Sequence, residues 1–190
     1  MTEQQPERPA RYQRSANGLI GALVVTLLAI GAFVAFRAFS REELEVRPEA
    51  VAYLPVVAQA QAAGQRPAYP ATLPDGWIVT SVNVARGEAP AWALGLLTSE
   101  GEYAGLRQSD APVDSLLETY VDAEPVEGEP FTLPGALAPS WRTFADSGGD
   151  RAYAADVDGQ TVLVYGSASQ ADLETLIGLL TTDPAPDPGS

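Results

Sequence analysis

The sequence contains no cysteine, no histidine and no lysine, because all eleven of its basic residues are arginines. Without cysteine there is no disulfide, no thiolate nucleophile, no thiolate zinc site and no lipidated cysteine. Without histidine, the usual serine–histidine–acid triad and histidine metal ligands are excluded. Without lysine, Schiff-base chemistry and the phosphate-loop lysine are excluded. The sequence therefore predicts a protein that is not an enzyme, with no catalytic, metal-binding or cofactor-binding residues and no cofactor.

Basic residues are scarce beyond the N-terminal region. From residue 42 onward, 23 acidic residues and six arginines give a net charge of −17. Such a surface repels the phosphate groups of nucleic acids, so we expect no nucleic-acid partner. The same charge leaves cationic proteins, metal ions and neutral ligands as candidate partners, and among them we expect a protein with a basic surface.

One long segment without charge lies near the N-terminus, from Ser15 to Phe36. A helix of these 22 residues would span roughly 30 Å at about 1.5 Å per residue, which matches the hydrocarbon core of a bilayer. A cleaved signal peptide has a shorter apolar region and a small-residue cleavage site, and is the main alternative. The segment predicts a transmembrane anchor over residues 15–39, with the lipid bilayer as its partner.

The orientation of this anchor does not follow from charge alone. Three arginines precede the helix and three follow it, so the positive-inside rule gives a tie. A short basic tail ahead of the first hydrophobic segment usually stays inside the cell. We therefore expect a single-pass protein of the plasma membrane, with residues 1–14 as a cytoplasmic tail and the C-terminal domain outside.

Small residues recur every four positions within the anchor, at Gly18, Ala22 and Thr26. This spacing permits two helices to pack closely, and it predicts a weak homodimer. Chance is the alternative explanation, because alanine-rich helices contain such spacings often.

Beyond the anchor, the chain divides into a linker, one domain and a tail. Residues 40–71 mix charge, proline and alanine, and favour a short helix from Pro55 to Ala63, because proline suits the first helical turn and Gly64 a helix end. Residues 72–181 predict the extracytoplasmic domain. The proline-rich residues 182–190 predict a disordered tail.

Six segments of the domain predict β-strands, because β-branched and aromatic residues alternate with polar ones or form short apolar runs. The segments are 78–84, 91–98, 103–109, 141–145, 152–157 and 161–165. Apolar residues at helical spacing predict two helices, 113–121 and 170–180. Each half of the domain therefore has three strands followed by one helix. This order predicts an α+β fold, in which an antiparallel sheet of about six strands carries its helices on one face.

Several short motifs occur in a characteristic order behind the arginine-flanked anchor. They are Leu73-Pro74-Asp75-Gly76-Trp77, Thr80-Ser81, Trp92 with Gly95, Tyr103-Ala104-Gly105-Leu106-Arg107-Gln108-Ser109 and Val164-Tyr165-Gly166-Ser167-Ala168. In this order the chain, from Arg11 to Leu180, resembles the actinobacterial family known as domain of unknown function 4245. The resemblance implies an exported domain behind one N-terminal helix, and it supplies no catalytic residues.

Three acidic segments match fragments of known sites, and each has a simpler interpretation. Asp146-Ser147-Gly148 matches part of an aspartic protease motif, but these residues are also turn formers. The segment Asp156 to Gly159 partly matches a calcium loop, but its glycine comes too early and its Asp-Gly pair is typical of a hairpin. Glu100 and Glu102 could be half of a glycosidase pair, but solvated loop charges explain them. We interpret all three segments as turns.

The three tryptophans, Trp77, Trp92 and Trp141, each lie at or near a predicted strand. An exposed cluster of them would form a platform for a carbohydrate or an apolar ligand. A small domain needs large apolar side chains for its own stability, so we predict that they lie in the core.

The leading hypothesis is a membrane-anchored extracytoplasmic domain that binds another protein or an envelope component without catalysis. The first alternative is a module that encloses an apolar ligand or lipid between helices and sheet. The second is a carboxylate-based hydrolase, which requires two carboxylates that face each other in one cleft.

Overall fold

The computed structural model divides the chain into two compact units, Met1–Arg47 and Pro48–Ser190. It describes residues 48–85 and 91–186, together with six residues of the first unit that are helical. These six are Leu23, Thr26, Leu27, Ile30, Gly31 and Phe33. Within this described part, no helix is both long enough and apolar enough to cross a membrane. Most of the predicted anchor over residues 15–39, including Gly18 and Ala22, lies outside the described residues, so the anchor and its homodimer stay predictions.

In its described residues, the second unit contains three helices and ten strands. The helices are α1 (Leu54–Ala62), α2 (Val113–Tyr120) and α3 (Gln170–Leu179). The strands are β1 (Tyr69–Pro70), β2 (Ile78–Ala85), β3 (Ala91–Leu97), β4 (Tyr103–Ser109), β5 (Val126–Glu127), β6 (Phe131–Thr132), β7 (Ser140–Ala145), β8 (Arg151–Val157), β9 (Gln160–Gly166) and β10 (Leu180–Thr181). All six predicted strands and the two predicted domain helices are confirmed, and no bound differs from the prediction by more than one residue. The two-residue strands were not predicted.

The main sheet is antiparallel and has the strand order β2-β3-β4-β9-β8-β7-β5, with β6 paired to β7 as an eighth strand. The two three-strand halves join through their last strands, so that Arg107 of β4 lies opposite Leu163 of β9. The α+β class is confirmed. The sheet exceeds the predicted six strands because β5 and β6 add to the far side of β7. A separate pair, β1 and β10, brings the two ends of the unit together.

The helices lie on both faces of the sheet, so the prediction of helices on one face is wrong. Val162 and Val164 of β9 belong to one buried cluster with Leu173 of α3 and with residues of α1. Leu163, between them, points to the other face and packs with Leu116 of α2. The physical reason is that successive residues of a strand point to opposite faces. The continuous apolar run of β9 therefore needs cover on both sides.

The segment before the predicted domain is part of the fold. Tyr53 and Val57 of this segment are buried in the large cluster, and the hydroxyl of Tyr53 donates to the carbonyl of Pro70 at 2.8 Å. The amide of Gln61 donates to the carbonyl of Asp183 and accepts from the backbone N–H of Ala185. The segment interpreted as a linker thus supplies core residues, and it holds part of the segment interpreted as a tail.

The three tryptophans lie in the core, as predicted. Trp77, Trp92 and Trp141 are all at least nine-tenths buried. The indole N–H of Trp92 donates to the carbonyl of Ala68 at 2.8 Å, and that of Trp141 donates to the carbonyl of Ala138 at 2.9 Å. Since both buried polar groups have partners, these side chains stabilise the fold, and they do not form an exposed platform.

Candidate interaction surface

The loop that matches a protease motif is a hairpin connection between β7 and β8. The backbone N–H of Asp146 donates to the carbonyl of Asp150, and the N–H of Asp150 donates to the carboxylate of Asp146 at 2.8 Å. Asp146 is therefore engaged in closing its own turn. The interpretation of Asp146-Ser147-Gly148 as a turn is confirmed.

The other two acidic segments are also turns. Asp158 and Gly159 both have positive φ angles, 54° and 81°, as the two-residue turn between β8 and β9 requires. Glu100 lies in the turn between β3 and β4, and Glu102 follows it; both are exposed. In the part of the chain that the structure describes, no group of three acidic side chains is placed to hold a metal ion. Both interpretations as hairpin turns are confirmed.

Two clefts adjoin the segment that follows α1. One of about 250 Å³ is lined by Arg66, Trp92, Gln108 and Gln160, among others. The other, of about 370 Å³, lies between α1 and residues 182–184. Neither lining contains a pair of carboxylates, which the hydrolase alternative requires, and neither cleft is enclosed as a lipid site would be.

Gln108 is the buried polar centre of the first cleft, and its contacts explain its position. Its side-chain N–H groups donate to the carbonyl of Arg66 at 3.1 Å and to the side-chain oxygen of Gln160 at 2.8 Å. Its own oxygen accepts from the backbone N–H of Ala68. Because every polar atom of this amide has a partner, Gln108 holds residues 66–68 against the sheet.

The most unusual surface of the domain lies on β2 and β3. Neither strand contains a charged residue, although the chain from residue 42 carries a net charge of −17. Helix α2 packs on β7, β8 and β9, and no described residue of β2 or β3 joins its cluster. We call the open face the β2–β3 surface and define it by its exposed and half-buried residues. They are Ser81, Asn83, Ala85, Ala91, Ala93 and Leu97.

Two glycines lie opposite each other where the β2–β3 surface meets the rest of the sheet. Gly95 of β3 lies opposite Gly105 of β4, which in turn lies opposite Tyr165 of β9. A Cβ atom on Gly105 would lie 2.6 Å from Cζ of Tyr165 and 3.0 Å from the hydroxyl oxygen of Tyr103. The rings of both tyrosines therefore lie across the glycine backbone. Burial and the hydrogen bond with Tyr103 raise the pKa of Tyr165.

Arg107 forms the border between the β2–β3 surface and α2. It lies opposite Ala93, and its guanidinium carbon is 4.5 Å from the ring centroid of Tyr120. Arg66 and Arg142 pair with carboxylates, whereas Arg107 has no ion pair among the described residues. Its Nε atom is buried without a hydrogen-bond partner there. The guanidinium of Arg107 is thus held by stacking on Tyr120.

Sequence reasoning predicted both strands but missed the surface. The signal was partial, because β2 and β3 carry no charge in an acidic domain, but the buried strand β9 carries none either. What the sequence did not indicate is that α2 covers only the other half of this face. Only the tertiary structure shows that Ser81, Asn83 and Ala93 remain accessible.

Comparison with known proteins agrees with the resemblance noted in the sequence. No curated protein and no solved structure matches the chain. The family described as "Protein of unknown function (DUF4245)" matches residues 11–180, and the chain therefore belongs to this family.

Proposed function

We propose that the domain binds a partner protein through the β2–β3 surface without catalysing a reaction. We also propose that the N-terminal helix holds the domain at the outer side of the plasma membrane. The observation that carries the first proposal is an open, uncharged sheet face within a strongly acidic domain. The uncharged segment from Ser15 to Phe36 supports the second.

The charge distribution favours a partner with a basic surface. A net negative domain attracts such a partner at long range and accelerates its association. At contact, charged groups must lose water, which is unfavourable unless they are paired well. The β2–β3 surface avoids this cost, because its residues are alanine, serine, asparagine and leucine. The acidic residues of the domain thus attract the partner at long range, whereas the uncharged β2–β3 surface makes the direct contact.

The alternatives have less support from the structure. The two clefts are open to solvent and their linings include polar side chains such as Gln65, Arg66 and Gln108, whereas an apolar ligand needs an enclosed, mainly apolar pocket. Their linings include one carboxylate, that of Asp183, where a hydrolase would need a facing pair.

A pair of matched variants tests the binding proposal. Ala85→Glu places a charge on the β2–β3 surface, while Ala171→Glu adds the same charge at an exposed position of α3. Full-length protein would be crosslinked in its native cells and its partners quantified by mass spectrometry. We expect Ala85→Glu to lose at least one partner by tenfold or more, the equivalent of about 1.4 kcal/mol, and Ala171→Glu to keep it. Identical partners for the wild type and Ala85→Glu would refute the proposal.

A separate experiment tests the membrane proposal. Membranes from cells that express the full chain would be washed with alkaline carbonate, which removes peripheral proteins. Intact cells without their wall would then be treated with protease. We expect the chain to stay with the membranes and the domain from Pro48 onward to be digested from outside. Release by carbonate, or protection until the cells are lysed, would contradict the anchor or its orientation respectively.

A further inference from the structure

The outer edge of β2 has backbone groups available for pairing. The backbone N–H of Thr98 donates to the carbonyl of Glu102, so Thr98 faces β4. The backbone N–H and C=O groups of successive strand residues point to alternate sides. Those of Leu94 and Trp92, four and six residues before Thr98, therefore also point toward β4. Their partners across the ladder are Val82 and Val84 of β2. The backbone N–H and C=O groups of these two valines therefore point away from the sheet.

Most of this edge is uncovered in the described residues. The backbone N–H of Val51 donates to the carbonyl of Val79 at 2.7 Å, which covers the start of β2. No described segment pairs with β2 after that point, from Ser81 to Ala85. The side chains of Val82 and Val84 pack against the core cluster but remain only partly buried. A further strand alongside β2 would complete their burial as well as pair the outward backbone groups.

We propose that an extended segment of a basic partner protein adds to β2 as a new edge strand of the main sheet. This inference rests on the proposed function and specifies how the partner binds. Main-chain hydrogen bonds supply affinity in this mode, and alternate side chains supply specificity. The segment would place apolar side chains beside Val82 and Val84 and small or polar ones beside Ser81 and Asn83. Lysine or arginine on either side of the segment would meet the acidic remainder of the domain.

Charge decides between this occupant and a second copy of the chain. Two copies could pair through β2 as a symmetric dimer. From residue 42 onward each copy carries a net charge of −17, so the two domains would repel each other. A basic segment is attracted by the same charge. The partner, and not a second copy, is therefore the occupant.

Peptide binding to the full-length chain in mild detergent tests this mode. The probe is a synthetic peptide in which threonine and valine alternate between two terminal lysines. One control has glutamates in place of the lysines, and another has a central proline, which interrupts strand pairing. Amide hydrogen exchange would be followed by NMR at Val82 and Val84, with Asn83 as internal reference because its N–H faces β3. We expect the lysine peptide to slow exchange at both valines by roughly tenfold or more, and neither control to do so.

The outcomes separate this inference from the proposed function. Exchange at Val82 and Val84 that no peptide slows would overturn strand addition. If no peptide slows exchange but Ala85→Glu still loses its partner in the crosslinking experiment, the β2–β3 surface remains the binding site and only strand addition is refuted. If Ala85→Glu keeps its partner, the proposed function is refuted as well. Equal protection by the glutamate peptide would overturn the basic partner. A dimer of the chain in sedimentation experiments that the lysine peptide dissociates would also overturn the basic partner. The segment paired with β2 would then belong to a second copy of the chain.

Discussion

The two edges of the main sheet are built in opposite ways. At one edge, β2 is eight residues long and carries no charge and no proline. At the other edge, β5 and β6 have two residues each. Prolines and acidic residues surround these short strands, and Glu127 holds Arg142 through two hydrogen bonds of 2.7 and 3.0 Å. The same sheet thus ends in a long uncharged strand on one side and in short charged pieces on the other.

This difference shows which edge is protected against pairing. Proteins usually block an exposed edge with short strands, charges, prolines or bulges, because a free edge pairs with other chains. The β5–β6 edge has the first three of these protections. The described part of the β2 edge has a bulge between Val79 and Ser81 and the backbone contact of Val51 at its start. A protein that protects one edge fully and leaves the other accessible is expected to use the accessible one.

The largest expected effect tests which backbone groups of β2 face outward. Asn83→Pro removes an N–H that faces β3, and we expect a loss on the order of 3 kcal/mol in the free energy of unfolding. Val84→Pro removes an N–H that faces away from the sheet, and should cost roughly 1 kcal/mol, mainly in packing. Urea denaturation of both variants measures this difference. Equal losses would show that the outward assignment of Val84 is wrong.

A second comparison concerns glycines near the two edges. Gly105→Ala forces a Cβ atom against the ring of Tyr165, with Cζ at 2.6 Å, so overpacking should cost about 1–3 kcal/mol. Gly128→Ala, beside β5, meets only the hydroxyl of Thr143, at 2.8 Å. The side chain of Thr143 can turn about its χ1 bond, at the cost of its exposed hydrogen bond to the carbonyl of Glu129, so the loss should stay below about 1 kcal/mol. Thermal unfolding measures the loss of stability in each variant. A larger loss for Gly128→Ala than for Gly105→Ala would contradict this prediction.

A third comparison removes one hydroxyl from each side of the sheet. The hydroxyl of Thr80 donates to the carbonyl of Gly95 at the bulge of β2, and that of Thr143 donates to the carbonyl of Glu129 beside β5. We expect Thr80→Val to cost about 1 kcal/mol and Thr143→Val about 0.5 kcal/mol, since the second bond is more exposed. Denaturation midpoints measure both. No loss for Thr80→Val would mean that its hydroxyl does not hold the bulge.

The smallest expected effect lies at the charged edge and depends on pH. The hydrogen bond from Arg142 lowers the pKa of Glu127 below its ordinary value of 4.5. A carboxylate whose pKa is lowered by folding stabilises the fold above its unfolded-state pKa, and this contribution is lost as the pH falls through the lower folded-state value. Glu127→Gln should therefore be slightly less stable than the wild type at pH 7, with a difference that disappears well below pH 4.5.

Glu129→Gln is the matched control for this prediction. Its carboxylate is exposed on the same edge and has no ion pair among the described residues. Urea denaturation measures both variants, and we expect Glu129→Gln to match the stability of the wild type at pH 7. A difference for Glu127→Gln that persists at low pH would mean that the pair with Arg142 is not its cause.

Local sequence patterns predicted most of the main sheet, and the reason is physical. Alternation in β2 and the Asp158-Gly159 turn are decided by neighbouring residues, so a short window contains the information. The two-residue strands escaped prediction because they have no pattern of their own. Tyr69 and Pro70 become β1 only because Leu180 and Thr181 lie beside them.

Placement of the helices depended on distant parts of the chain. The apolar run Val162-Leu163-Val164 indicates a strand buried on both faces, but it does not say what covers each face. The structure shows that α3 and the segment around Val57 cover one side and that α2 covers part of the other. The sequence predicts a linker there, because the apolar residues of that segment are small. Its burial results from the shape of the sheet that it meets.

The sequence by itself determined which chemical groups this protein has: no cysteine, histidine or lysine, a strongly acidic domain and an uncharged N-terminal segment. It also determined six strands and two helices. These properties follow from residue types and short periods, which need no tertiary information. Only the tertiary structure decided that α2 leaves β2 and β3 open and that Val82 and Val84 turn their backbones outward. Which helix covers each face of the sheet, and which strand lies at its edge, depend on packing between segments that are distant in the sequence. That packing is a property of the whole fold.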